Sequence, residues 1–336
     1  VGFKAFLCDS GLAEFRAVDR RDLAAAMPRL RELGSKLLVH CELLGPSPVS
    51  LASDNPLPKS SEASSYREFV GSRPVSFETD AVALVLDLAR KTGCPVHIVH
   101  VSAAETVEQI RAAKEEGVAV TAETCPHYLY FAAEDLDAAD TTFKCAPPIR
   151  QRRHREALWQ GLFDGVLDFV ASDHSPCPKE LKQPGDRFDF ESAWGGISSL
   201  QLLLPATYSA ALQRGHGVAD MARWLGSLPA RFLGVEKTPW VEAGERADLV
   251  VWNPEQAFVV SPDELCHRHA LSPYAGEQLF GVVVAHYLRG ESIFGAGQNL
   301  DADRVVDQGR IVLSRTEPNA HAPGVFASDD DRARLA

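Results

Sequence analysis

Several signatures of specialised protein classes are missing from this sequence. No run approaches the 18 or so uninterrupted apolar residues of a membrane span. The opening residues, VGFKAFLCDS, carry no basic stretch followed by an apolar core of the secretory kind. Positive charge is outnumbered, 34 Lys and Arg against 46 Asp and Glu, and the net −12 repels polyanions, so no nucleic-acid partner is expected, and the missing apolar run gives no reason to expect a membrane partner. The seven cysteines (Cys8, Cys41, Cys94, Cys125, Cys145, Cys177 and Cys266) never form a C-x-x-C pair and are odd in number. That excludes a zinc ribbon and a disulfide framework and fits a reducing, cytoplasmic setting. There is no internal repeat and no low-complexity tract.

What remains is an ordinary globular balance, 45% hydrophobic and 24% charged over 336 residues. A chain of this length can bury a core without metal or disulfide staples, as one large domain or a large one with a small companion. Short apolar runs alternate with stretches of helical period, the pattern of repeated βα units. Strands are expected at Val1–Cys8, Lys36–Glu42, Pro95–Ser102, Val118–Cys125 and Asp168–Asp173, and helices at about Asp19–Leu33, Glu78–Thr92, Ala104–Glu116 and Gln151–Phe163. Gly34, Gly93 and Gly117 stop the first three helices. Helical crossovers imply parallel strands. A Pro- and Ser-rich loop spans Gly45 to Pro74, and a second polar loop runs from Pro176 to about Trp194; both are candidates to shield a site, or plain surface. Helix is expected again from Ser198 to Leu233, and from Trp240 the runs RADLVVWN, QAFVV, LFGVVVAHYL and ESIF read as short strands.

The expected fold class is therefore α/β: a (β/α)₈ barrel, of which this chain shows only five strands, with a small β-sandwich domain built in part from the C-terminal segment. A full barrel needs eight strands and about 250 residues. The expected division is 1–238 barrel, 239–316 small β domain and 317–336 polar tail.

Active sites of such barrels lie at the C-terminal ends of the strands. Lys4 lies within the first strand, His40 near the end of the second, His100 near the end of the third, and Asp173 ends the fifth within SDHSP. Each has a bland reading: a hydrogen-bonded strand-end His, an Asx-turn Asp, a Lys with an anionic partner. All four fall at strand ends assigned without reference to them. Two imidazoles and a carboxylate converging on one mouth suit zinc or a similar divalent ion. His97, three residues before His100, is expected on the opposite face in a packing role. His127 could reach the mouth, and His174 could support Asp173. His267 and His269 form an H-x-H pair near the small β unit.

GFKAFLC (2–8), LLVHCE (37–42), HIVHVSAAET (97–106), TAETCPHYL (121–129), KCAPPIR (144–150), SDHSPC (172–177), AWGGISSLQ (193–201) and LSPYAGEQLFGVV (271–283) together resemble the cyclic-amidohydrolase branch of the amidohydrolase superfamily. SDHSP and ETCPHYL are shared with dihydroorotases and hydantoinases, whereas KCAPPIR with AWGGIS is similar to allantoinases. The resemblance spans Val1 to about Arg315.

It implies a metal-dependent hydrolase of cyclic amides, with allantoin hydrolysed to allantoate in purine catabolism. Two divalent metals, zinc above all, would be bridged by a carboxylated Lys4. His40 and His100 would ligate the second metal, and Asp173 would bind the first and shuttle the proton. The family's first-metal H-x-H pair lies on an earlier strand, and CHRH is in the wrong place to replace it. With Val1 inside a strand-like run, the resemblance reads the chain as lacking about three barrel strands and part of the small β domain. Cys8 or Ser10 would assist the oxyanion, and backbone near Ala146 and Ser192 would grip the ring. A homo-oligomer, commonly a tetramer, is implied. The runner-up readings are a dihydroorotase, for which Arg150 is a candidate carboxylate partner, a hydantoinase or dihydropyrimidinase, and a non-catalytic homologue.

Overall fold

A computed structural model describes residues 1–43, 65–183, 189–235 and 241–295. The expected 317–336 tail, and residues 296–316 of the expected small β domain, lie outside the described residues. Five strands, β1 (Phe3–Phe6), β2 (Leu37–His40), β3 (Val96–Ile98), β4 (Val120–Thr124) and β5 (Phe169–Val170), pair in chain order in one parallel sheet. Their registers stack Phe3, Leu37, Val96 and Val120 in one row and Lys4, Leu38, His97 and Thr121 in the next. Phe6 pairs with His40, and Glu123 with Phe169. All strands therefore end at one rim, the geometry of an arc of a parallel barrel.

The helices between strands cover one face. In α1 (Arg20–Glu32), Leu23, Met27 and Leu30 are buried at helical spacing, and Asp19 opens the helix in a capping box with Asp22. In α3 (Val75–Thr92), the stripe Ala81, Val82, Val85, Leu88 and Ala89 packs inward, and Gly93 closes the helix with φ 66°. The helices α4 (Ala104–Glu115) and α6 (Arg152–Phe163) continue the layer.

The departures from expectation are local. Residues 44–64 of the first long loop are outside the description, but its end folds as α2 (Tyr66–Ser72). Ser65 and Glu68 cap it reciprocally, while Tyr66, Phe69 and Val70 are buried; that i, i+3, i+4 signal is hidden by the polar residues before it. A five-residue helix, α5 (Pro126–Tyr130), follows β4 directly, and one turn, α7 (Lys179–Lys182), stands in the second loop. The helical stretch 198–233 breaks at Gly215, φ 78°, into α8 (Leu203–Leu212) and a second run in which α9 (Val218–Ala222) and α10 (Leu228–Leu233) are joined by a π-helical turn over Arg223–Ser227.

The runs RADLVVWN and QAFVV form one strand, β6 (Leu249–Val259), rather than two; a register irregularity between Asn253 and Ala257 absorbs Pro254. With β7 (Gln278–Leu288) and β8 (Glu291–Gly295) it makes a three-stranded antiparallel sheet. Arg289 and Gly290, at φ 53° and 85°, form the tight β7–β8 turn. No helix among the described residues is long and apolar enough to cross a membrane.

Gly281 shows why β7 needs a glycine. Its φ is +100°, and a Cβ there would stand 3.1 Å from the Trp252 ring, which itself packs edge-on against Tyr208 of α8. Gly281→Ala is expected to cost about 1–3 kcal/mol, measured as a drop in the urea midpoint with unchanged slope.

Candidate metal centre

Strand alternation places Lys4, Phe6 and His40 on the uncovered face of the sheet. His97 shares the row of Lys4, so it points to that same face and not the opposite one; its packing role holds. Its ring is fully buried against Phe169 and Phe232, with Nδ1 2.8 Å from Thr121 Oγ1 and Nε2 3.1 Å from Glu123 Oε2. His100 lies beyond the end of β3 and reaches the site differently. Its φ is 42°, and Asp173 has φ 43°. Only three non-glycine residues among those described have positive φ, and two of them are these predicted ligands. Such conformations cost about 1–3 kcal/mol and persist where surroundings impose them.

The two imidazoles meet directly. His40 Nδ1 lies 2.9 Å from His100 Nε2, with ring centroids 4.6 Å apart. The other nitrogen of His40, Nε2, is 3.0 Å from Glu42 Oε2. With Nε2–H donated to that carboxylate, Nδ1 carries the lone pair, the orientation a ligating histidine needs. Burial, with the Lys4 charge nearby, holds His100 well below the ordinary imidazole range, so it stays neutral. Burial alone would raise Glu42, but the His40 hydrogen bond and the Arg73 charge more than offset it.

Lys4 and Asp173 face each other across the same opening and remain solvent-accessible. Desolvation lowers the Lys4 ammonium and raises the Asp173 carboxyl, each shift opposed by the other's charge. Asp173 does not close a compact triad with the imidazoles. Among the described residues, the one set of three His, Cys, Asp or Glu ligand atoms within 4.8 Å of one another is Cys8, His40 and Glu42.

The Asp173 turn is held by AWGGISSLQ. Ser175 N donates to Ile197 O at 2.9 Å, and His174 Nδ1 accepts from the amides of Ser199 and Leu200 at 3.0 and 3.1 Å. A Cβ on Gly196 would come 2.6 Å from Ser175 Cβ. Buried Lys182 draws the neighbouring segments together, its Nζ donating to the carbonyls of Lys144, Trp194 and Gly196 at 2.7, 3.0 and 2.5 Å.

The expected substrate contacts fare unevenly. Cys8 is buried beside His40 and Glu42, and burial pushes its thiol up to about 12, so it is a neutral donor. Ser10 spends its hydroxyl on Phe15 O at 2.7 Å, closing its own loop. Ala146 is half-buried between the Lys182 cage and Pro147. Ser192 is exposed, its hydroxyl donated to Asp189 at 2.7 Å. The His267 ring lies 5.2 Å from that of His174, tilted by 34°, nearer the Asp173 turn than its sequence position suggests.

Glu42, Arg73, Glu78, Ser102 and Lys182 escaped the sequence reading. Only Glu42 had a usable signal: in VHCE it sits two residues after His40, just past the end of β2. Arg150 is 4% exposed, donating to Ser102 Oγ and Arg73 O; it is not placed to hold a substrate carboxylate.

Comparison with known proteins follows the same lines. The profile of the amidohydrolase family matches residues 13–312. The chain belongs to the amidohydrolase family. This amidohydrolase is 42% identical to the allantoinase of Streptomyces avermitilis over 297 residues, covering 88% of this chain and 64% of that protein. It is 38% identical to the allantoinase of Arabidopsis thaliana, covering 89% of this chain and 60% of that one. It thus spans less than two thirds of the length of these relatives. Among solved structures it is similar to the L-hydantoinase (dihydropyrimidinase) of Arthrobacter aurescens, with TM-score 0.79 and 27% identity over 89% of this chain and 66% of that one. Amidohydrolase membership implies a divalent-metal site, and the donor set fits one: two adjoining imidazole nitrogens, one imidazole oriented by a carboxylate, beside an accessible lysine and aspartate.

His127 is 1% exposed, neither ring nitrogen has a hydrogen-bond partner among the described residues, and burial lowers it to about 3. His154, whose Nδ1 accepts from Ala104 N at 3.0 Å, is lowered to about 4. In the unfolded chain both protonate near 6.5, whereas the folded protein refuses those protons until lower pH, so stability falls as pH drops from about 6.5 toward 4. His127→Leu is expected to flatten the pH dependence of the urea midpoint over that window; an unchanged slope would exclude His127 as its source.

Proposed function

We propose that this amidohydrolase acts in hydrolysis of a cyclic amide, with allantoin opened to allantoate. The observation that carries the reading is the identity to an allantoinase, 42% across 88% of the chain. Lys4, as a carboxylated bridge, together with His40, His100 and Asp173, would hold two divalent ions, zinc foremost. When bound, these ions supply a water of lowered pKa and polarise the ring carbonyl.

The chain's own contribution is proton handling and placement. Asp173 takes a proton from the attacking water and returns it to the departing ring nitrogen, base then acid. Its desolvation, which raises the carboxyl from its ordinary value, favours the uptake step. Cys8, neutral and beside His40, is the better placed of the two oxyanion candidates. Backbone around Ala146 is steadied by the Lys182 cage. The division at about residue 238 into barrel and small β domain, a homo-oligomeric assembly and a cytoplasmic setting belong to the same reading.

The dihydroorotase alternative needs a cation for the substrate carboxylate. Arg150 was its one candidate, and that guanidinium is committed within the core. Hydantoinases are similar in fold at 27–28% identity, below the allantoinases.

The test is ring opening of allantoin, dihydroorotate, hydantoin and dihydrouracil side by side, with zinc, using the complete gene product. Allantoin is expected to be preferred, and Asp173→Asn to retain metal while losing at least two orders of magnitude in turnover. Preference for another ring overturns the substrate; metal binding with no ring opened favours the non-catalytic homologue.

A further inference from the structure

Four charged side chains lie behind the two imidazoles, and one of them, Glu42, is the carboxylate that orients His40. Glu42, Glu78 and Arg150 are 0%, 2% and 4% exposed, and the side chain of Arg73 is 25% exposed. Two carboxylates and two guanidiniums balance, as buried charges must. Their connections are continuous. Arg73 Nη1 donates to Glu42 Oε2 at 3.0 Å, the same oxygen that receives His40 Nε2. Arg150 Nη1 donates to the backbone carbonyl of Arg73 at 3.0 Å, and its Nε to Ser102 Oγ at 3.1 Å. Glu78, 3.6 Å from Arg150 Nη2, accepts from the hydroxyl of Ser102 and from the amides of Ser102 and Ala103 at 3.0 and 3.1 Å.

The two ends of this chain of contacts are informative. One end orients the His40 ring. The other fixes the backbone two and three residues past His100, where the β3 pairing has ended and His100 adopts its left-handed conformation. Past Ile98 the backbone has few sheet contacts of its own, Val99 N to Val39 O at 3.3 Å and Val101 N to Glu123 O at 2.8 Å. Glu78 and Arg150 take over where those stop.

We propose that Arg73 and Arg150 are positioning residues that hold the two imidazoles in the mutual orientation a shared metal requires. Arg73 acts on His40 through Glu42, and Arg150 acts on the His100 segment through Ser102 and Glu78. Because Arg150 also grips the Arg73 carbonyl, the two histidines are set by one network and not independently. This inference rests on the metal-centre reading above.

The test uses Arg73→Gln and Arg150→Gln in the 336-residue chain, each beside its Lys counterpart, with two readouts. In the first, zinc affinity is measured by competition with a chromophoric chelator. A 10–100-fold loss is expected in each Gln variant, the scale for outer partners of metal ligands, and Arg73→Lys should recover part of it because an ammonium still reaches Glu42. In the second, ¹⁵N-histidine spectra of the metal-free protein report the imidazole tautomers. The unaltered chain should show His40 as the Nε2–H form, and Arg73→Gln should redistribute it while the far-ultraviolet dichroism stays unchanged. Zinc affinity within twofold of the unaltered chain together with unchanged imidazole spectra would overturn the proposal. An unaltered chain that binds no zinc would sink the metal-centre reading, while the metal-free spectra would still decide the positioning claim. Should Arg150→Gln fail to fold, the partly exposed Arg73 carries the test alone.

Discussion

In-register parallel pairing of β1 to β5 is the constraint on which everything else depends. Because Phe6 is level with His40, and Lys4 with Leu38 and His97, side chains more than thirty residues apart in sequence share one face and one rim. The covering helices make that pairing affordable by burying the other face with aliphatic stripes. The open face is free to collect polar groups, and it collects groups that are costly to bury: a lysine, three histidines and several carboxylates. Their mutual compensation is what makes the rim chemically coherent.

Compensation runs in layers. In the row of Lys4, His97 is hydrogen-bonded to Glu123 and Thr121 and sealed by Phe169 and Phe232. Lys4 itself and Asp173 at the rim temper each other's desolvation. Behind the imidazoles stands the Glu42–Arg73–Arg150–Glu78 network. A layered arrangement also explains why Arg150 is a poor candidate for a substrate carboxylate, although its motif sits beside the opening. Withdrawn from Ser102, Arg73 and Glu78, it would leave a buried carboxylate with less compensation.

The parts of this architecture that were legible in the sequence are those written in short-range pattern. Apolar alternation located all five parallel strands, and Gly93 and Gly117 marked helix ends within a residue, because periodicity and left-handed caps are local properties. Four strand-end polar residues could be singled out for the same reason. Features that depend on distant partners were not legible. Helix α2 hides its buried Tyr66, Phe69 and Val70 after a polar tract, and β6 looks like two strands until β7 is present to pair across Pro254. Arg73 and Glu78 look like surface charges on a helix and its approach, and nothing local says that they face inward toward residues 42 and 102. The reading of His97 went astray for a related reason. Counting alternation from His100 assumed the strand continued, whereas β3 ends at Ile98 and His100 sits in a left-handed turn.

That turn ties local conformation to chemistry. A residue following β3 in extended geometry would keep alternating, and its side chain would be directed by the pleat. At φ 42° the chain leaves the pleat, and His100 Nε2 comes to 2.9 Å from His40 Nδ1. Asp173 repeats the device at the end of β5 with φ 43°, and there the AWGGISSLQ segment clamps the turn through His174 and Ser175. Glycine would adopt both conformations more easily but could donate no ligand. On the proposed metal-centre reading the strain is accepted because only an imidazole or a carboxylate would supply the donor, and each strained position is backed by groups that keep it in place: Glu78 and Arg150 behind one, Ser199 and Ile197 behind the other.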